Sequence, residues 1–239
     1  MVIVQARMGS TRLPGKVLMD LEGRPMLERQ LERLARARTP DAIVIATSKD
    51  VRDQPIVDLA ERLHIPFTRG SEEDVLDRYT QAARTYEADV VARVTADCPL
   101  VDPAVLDQCV HTLADDPSLD YASNTLERTY PRGLDVEAMT RSTLESAARE
   151  ATDPADREHV TRFIWRQPER FHLGSLQHST NHSHLRWTVD TDKDLQVIKR
   201  IYADLYAQKP DFGLQEALDH AQKHPEVHAH NHDVAQKVI

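Results

Sequence analysis

The chain has 239 residues and a formal net charge of −9 at neutral pH. That is length enough for a full α/β core, and the wrong sign of charge for a general nucleic-acid binder. No apolar run approaches the roughly 18 residues of a membrane span and no secretory leader is visible, so no membrane partner is expected. The two cysteines, Cys98 and Cys109, are too few for a disulfide framework and fit a reducing cytoplasm.

Val2, Ile3 and Val4 read as a short buried strand. After Ala6 the chain turns polar and places three cations, Arg7, Arg12 and Lys16, among the small residues Gly9, Ser10 and Gly15. Small residues let backbone N–H groups approach an anion, and the cations offset several negative charges at once, so this loop can hold a triphosphate. It is neither a P-loop, because Gly9 to Gly15 has the wrong spacing and Val17 follows the lysine, nor a G-x-G-x-x-G turn. A solvated basic turn stays open as the plain alternative.

Pro25 suits the first turn of a helix in which Met26, Leu27, Leu31 and Leu34 recur at helical spacing. Ala42 to Ala46 is a second strand, Ile56 to Leu63 a helix, and Pro66-Phe67-Thr68 leads to Gly70. Ser71 is placed to cap a helix opening on Glu72, Glu73 and Asp74, acids that favour the positive end of the helix dipole. Val90 to Val94 is another strand, and Pro103 opens a helix through His111. This alternation predicts an α/β chain with a mostly parallel, doubly wound sheet, whose ligands sit at the carboxyl ends of the strands.

Beyond Leu119 the rhythm changes. Short strands are expected at Tyr121 to Ser123, Leu134 to Met139, Phe171 to Leu176 and Arg186 to Val189, and helices at Thr140 to Arg149, Asp153 to Trp165 and Lys193 to Tyr206. Asp97 falls at the end of the valine strand, a suitable place for a Mg²⁺ ligand. Asp190 is the better candidate for the second carboxylate, while Asp192 reads as the cap of the following helix.

The run QARMGSTRLPGKVL, followed in order by ATS, RGSEEDVLDRY, RVTADCPLVDP, YPRGLDVE, REHVT and LRWTVDTDKDL, resembles the spore-coat polysaccharide biosynthesis protein F type of cytidylyltransferase. It is also similar to the wider group that activates sialic acid and 3-deoxy-manno-octulosonate with CTP. The resemblance covers roughly residues 1 to 206. It implies a Rossmann-like, GT-A-type nucleotidyltransferase fold with a small substrate or dimerisation insertion, and a homodimer. The implied nucleotidyltransferase domain is 1–208, with a nucleotide-binding half to about 115 and an acceptor-side half from 116, followed by a C-terminal helix and histidine-rich tail at 209–239.

The resemblance further implies attack by an acceptor oxygen on the α-phosphorus of CTP with release of pyrophosphate. Arg7, Ser10, Arg12 and Lys16 match the triphosphate loop, with Gly9 between them. Arg7, Arg12 and Lys16 would stabilise developing charge, Ala6 and Thr95 would approach the cytidine, and Asp97 and Asp190 match the Mg²⁺ carboxylates. On the acceptor side, a sugar acid or phosphorylated acceptor would suit Arg132, Asp135, Glu137, His159 and Arg186, with Arg157 nearby. The plainer account of these residues, exposed helix pairs and strand-face alternation, remains open.

His220 and His224 are spaced i, i+4 and could chelate a transition metal, although the tail's polar surroundings favour a solvated segment. Trp187 and the helix from Leu195 are candidates for burial against a second subunit, with the chain's own core as the plain alternative. Two other functions compete: a GT-A glycosyltransferase with Asp190-Thr191-Asp192 as a D-x-D metal motif, and a non-catalytic nucleotide-binding module.

Overall fold

The computed structural model describes residues 1–236. In chain order the elements are β1 (Val2–Gln5), β2 (Asp20–Leu21), β3 (Arg24–Pro25), α1 (Met26–Leu34), β4 (Ile43–Ser48), α2 (Gln54–Arg62), β5 (Phe67–Gly70), α3 (Val75–Thr85), β6 (Val90–Thr95) and α4 (Pro103–Asp115). The second half adds β7 (Tyr121–Ser123), β8 (Glu137–Thr140), α5 (Arg141–Glu150), α6 (Pro154–His159), α7 (Arg162–Trp165), β9 (Leu173–Ser175), α8 (Asp192–Leu205), α9 (Leu214–Lys223) and α10 (Pro225–Ala229).

Among the described residues the central sheet runs β5-β4-β1-β6-β8-β7-β9, with β2 and β3 forming a separate small hairpin. β1 pairs in parallel with β4 and β6, and β4 with β5. β8 is antiparallel to both its neighbours, and β9 returns parallel to β7. The apolar run of β1 follows from its place in the middle. Val2 and Val4 pack on one face with Leu27, Leu31, Ile56 and Leu106, whereas Ile3 packs on the other with Leu76, Tyr79 and Leu144. A strand covered on both faces has no side to leave polar.

The chain lays β4 and β5 on one side of β1 and then crosses to add β6 on the other. The carboxyl ends of β1 and β6 therefore flank the point where the strand order reverses, where open α/β sheets form a ligand crevice.

The structure corrects several expected boundaries. Ser71 does not cap α3: its hydroxyl accepts from the Asp74 amide, and Asp74 is the cap, accepting from the Asp77 amide at 2.9 Å. The Leu134 to Met139 strand narrows to β8. Residues 186–189 join no strand of the sheet; Arg132 and Arg186 form an isolated bridge, and the Val189 amide donates to the Asp97 carbonyl. Asp192 is not the cap of α8. Thr191 is, and it forms a reciprocal capping box with Asp194.

The expected helix from Asp153 to Trp165 is broken at Val160. This β-branched residue adopts φ +57° and ψ −64° between α6 and α7, with the Thr161 amide bonded to the His159 carbonyl at 2.6 Å. A valine with positive φ in such a three-residue turn is strained. The turn sets His159 and Thr161 at the wall of one cleft.

A third apolar cluster lies outside the sheet. Trp187 is fully buried there with Leu195, Ile198, Ile201, Tyr202, Phe212 and Ala217. Of the two expectations for Trp187 and the apolar face of α8, packing within the chain's own core is the one seen.

Candidate active site

Three hydrogen bonds set the loop that follows β1. Met8 donates its amide to Asp53 Oδ1 at 2.7 Å, the Gly15 amide returns to the Met8 carbonyl at 3.0 Å, and Ser10 Oγ accepts from the Leu13 amide at 3.3 Å. Gly15 stands at φ +72°, a conformation nearly free of cost for glycine alone, and it aims the next residue, Lys16, inward.

Lys16 reaches the centre of the cleft. Its Nζ donates to Asp97 Oδ2 at 3.0 Å, to Asp190 Oδ1 at 3.0 Å and to the Val189 carbonyl at 2.6 Å. Asp190 also faces Arg12 Nη2 and Arg186 Nη2, each at 3.0 Å. Burial by itself would lower the Lys16 pKa, but the two carboxylates outweigh it and raise it. Burial would likewise raise Asp97, yet Lys16 and the Thr95 hydroxyl hold it below the ordinary aspartate value. Thr95 Oγ1 donates to Asp97 Oδ1 at 2.6 Å, so this hydroxyl orients Asp97 while the residue lines the cleft.

These groups open into a cleft of about 530 Å³ that also touches Arg7, Ser10, Arg93, Arg128, Arg132 and His159. Arg7 is half exposed and stands 4.0 Å from Glu72, away from the paired carboxylates. Ala6 is buried beneath the loop. Gly9 packs beside Glu72, whose Oε1 lies 2.9 Å from where a Cβ would stand.

The expected acceptor residues divide. Glu137 is the buried counter-ion of Arg93 and also accepts from Tyr121 at 2.6 Å and Thr161 at 2.5 Å. Asp135 is held by both Nη atoms of Arg128, at 2.6 and 2.8 Å. Arg186 is 7% exposed and holds Asp190 and Asp194. Arg157 leaves the site, binding Asp74 and the Ala148 carbonyl. Arg132 forms no ion pair among the described residues. Burial first, then the neighbouring Arg128, lowers its pKa.

The histidine-rich segment is solvated in part, with His230 and His232 exposed as its composition predicts, but two of its polar residues are buried. His220 is 3% exposed and Asn231 is 1% exposed. Asp204, His220 and His224 bring possible ligand atoms within 4.8 Å of one another, but hydrogen-bond polarity opposes a metal there. Trp187 Nε1 can only donate, and it meets His228 Nδ1 at 3.1 Å. His228 Nε2–H must then donate to His220 Nδ1 at 3.1 Å, which leaves His220 Nε2–H to donate to Asp204 at 3.0 Å. The nitrogen a metal would need carries a proton. Burial, with His220 and His224 beside it, holds His228 neutral by lowering its pKa to about 4.

A family model described as cytidylyltransferase matches residues 1–230. The chain belongs to the cytidylyltransferase family. It is 32% identical over 231 residues to the spore coat polysaccharide biosynthesis protein SpsF of Bacillus subtilis, covering 94% of each chain. A 3-deoxy-manno-octulosonate cytidylyltransferase of Pelobacter propionicus is 39% identical over 121 residues, which span 51% of this chain and 47% of that protein. The solved structure of a cytidylyltransferase from Leptospira borgpetersenii superposes with a TM-score of 0.91 at 30% identity, covering 100% of this chain and 98% of that one.

This cytidylyltransferase is a CTP-dependent nucleotidyltransferase with a Rossmann-like fold. Its described residues also bear on a divalent cation. Asp97 and Asp190 come from separate segments, yet each places an oxygen 3.0 Å from the same ammonium. A pair of carboxylate oxygens already converging on one cation suits hard Mg²⁺. The D-x-D alternative loses its second acid, since Asp192 lies exposed on α8 and accepts from Gln196.

Sequence reasoning missed Arg128, Arg93, Asp53, Asn231 and Gln236. Arg128 could have been found from its position four residues before Arg132 in the same loop. For the other four, the local pattern carries no signal.

Proposed function

We propose that this cytidylyltransferase transfers CMP from CTP, with Mg²⁺ at Asp97 and Asp190, to a small anionic acceptor, a sugar acid or a phosphorylated sugar, as a step in making a surface polysaccharide. The observation that carries the reading is the convergence of Asp97, Asp190, Lys16 and Arg12 where the strand order reverses. The relatives' names support the polysaccharide role and the sugar-acid class.

In the reaction, an acceptor oxygen bonds to the α-phosphorus, the bond from that phosphorus to the bridging oxygen breaks, and pyrophosphate leaves. Lys16, Arg12 and Arg7 offset charge on the triphosphate and the leaving group, and Ser10 and Gly9 line its loop. Mg²⁺, when bound, adds Lewis-acid neutralisation at the reacting oxygens. Arg132, which forms no ion pair among the described residues and lines the cleft, is the best placed of the expected acceptor residues to meet an anionic group, and His159 stands on the same wall.

Pyrophosphate release measured with each of the four nucleoside triphosphates and Mg²⁺, across a panel of sugar acids and sugar phosphates, tests the reading. Release with CTP and a sugar acid or sugar phosphate, abolished by chelation, is expected. Release with CTP only when an uncharged acceptor is supplied would overturn the acceptor class.

A further inference from the structure

We propose that the C-terminal segment 228–236 is a working part of the catalytic site, with Asn231 as the positioning residue that fixes the carboxylate of Asp190 from behind. This inference rests on the assignment of Asp97 and Asp190 as metal ligands.

The link is a continuous set of hydrogen bonds. Asn231 Nδ2 donates to the Arg186 carbonyl at 3.0 Å and to Asp194 Oδ1 at 2.9 Å. Both partners are acceptors only, so the amide nitrogen must face them, and its two hydrogens are both used. Asp194 is fully buried and in turn accepts from Arg186 Nε at 2.8 Å and Nη2 at 3.2 Å. The same Nη2 reaches Asp190 Oδ2 at 3.0 Å, and Nη1 is held by Gln236 Oε1 at 2.6 Å. Asp194 also accepts from the Asp190 and Thr191 amides, at 3.0 and 2.9 Å, so it sets the backbone under Asp190 as well as its side chain.

The tail therefore grips Arg186 at its carbonyl and at one edge of its guanidinium. It also meets a second partner of Asp190, because Arg12 Nη1 lies 3.4 Å from the Ala235 carbonyl. Of the three side-chain cations on Asp190, Arg12 and Arg186 touch the tail directly, and Lys16 is the one a divalent cation has to displace. When Lys16 gives way, Arg186 is the buried group that still orients the carboxylate. A buried amide aimed at two acceptors is costly to leave unpaired, so the tail is locked in this place by the contacts that orient Asp190. Docking is reinforced at the rim by Lys193 on Asp233 at 2.6 Å and His230 on Gln196 at 2.9 Å.

The test is direct Mn²⁺ binding to the nucleotide-free protein, followed by the paramagnetic resonance signal of free Mn²⁺, alongside circular dichroism and thermal unfolding. Asn231→Ala should weaken Mn²⁺ binding roughly tenfold, as loss of an outer-shell partner of a metal ligand does. Gln236→Ala removes one charged hydrogen bond from an exposed residue and should weaken it about fivefold. Lys223→Ala, exposed on α9 and outside the segment, should leave it unchanged.

A purely structural tail would lower the unfolding temperature of Asn231→Ala without moving Mn²⁺ affinity, and that result would overturn the proposal. Should Asn231→Ala fail to fold, Gln236→Ala decides: wild-type Mn²⁺ affinity in that variant counts against the tail. Asp190→Ala separates the two levels. If it binds Mn²⁺ as the wild type does, the metal assignment fails and the proposal falls with it. If it loses Mn²⁺ while Asn231→Ala and Gln236→Ala retain it, only the role of the tail is refuted.

Discussion

Lys16 is the residue on which the site balances, because two carboxylates share its ammonium. Its raised pKa contributes stability that is complete below the ordinary value of 10.5 and lost as pH rises through the folded value. The depressed pKa of Asp97 contributes stability present above 3.8 and lost as pH falls through its folded value. Between these limits the pair is intact. Replacing Lys16 with alanine should cut turnover by orders of magnitude while the circular dichroism spectrum stays native. The same variant should gain more thermal stability from added Mg²⁺ than the wild type gains, because Asp97 then lacks its ammonium partner and Asp190 one of its three cations. Asp97→Asn should cut turnover comparably, and wild-type rates in either variant would end the assignment.

His228 gives a second residue-scale prediction. Its folded pKa of about 4 lies below the ordinary 6.5, so the unfolded chain takes up a proton before the native state does. Stability should fall as pH drops from 6.5 towards 4. Denaturation midpoints in urea across that range should decline less steeply for His228→Leu than for the wild type. Parallel curves would show that the histidine relay has no part in acid sensitivity.

At the scale of elements, the segment 186–190 is the least regular yet most consequential. It belongs to no strand of the sheet, and its path is fixed by close approach to the loop at 131–135. Arg132 exchanges hydrogen bonds with Leu185 and Trp187, and a Cβ on Gly133 would stand 2.4 Å from the Trp187 carbonyl carbon and 2.5 Å from the Thr188 nitrogen. With φ at +100° as well, Gly133→Ala should cost at least about 2 kcal/mol and displace Asp190. Chemical denaturation together with CTP turnover would show both effects, and a wild-type profile would mean the segment has slack. The start of α8 is a milder case: Thr191→Ala removes the capping box and should cost about 1 kcal/mol, read from the unfolding midpoint.

Considered whole, the protein places its candidate site at one seam, between the parallel part of the sheet and an added antiparallel β8. Ligand binding to the native state should therefore be felt globally. CTP with Mg²⁺ at about 100 times its dissociation constant should add roughly 2.7 kcal/mol, or about 5–10 °C in unfolding temperature for a chain of this size. ATP, GTP and UTP should give smaller shifts. Equal shifts with all four would mean that the cleft reads only the triphosphate.

The alternation of apolar strands and amphipathic helices from Val2 to His111 determined the parallel half of the sheet, because covering both faces of a strand leaves a periodicity that local sequence records. The basic loop at Arg7 to Lys16, and Asp97 at a strand end, were legible for the same reason: each is a local pattern at a predictable place. Tertiary structure alone decided which acid serves as partner. Asp190 meets Lys16 because Gly133 lets one irregular segment press against another, a contact between residues far apart in the chain. It also decided that the histidine-rich end docks through His220 and Asn231 while His230 and His232 stay exposed. Its polar residues carry no local sign of this, because the donors and acceptors they meet, at Trp187, Arg186, Asp194 and Asp204, lie elsewhere in the chain.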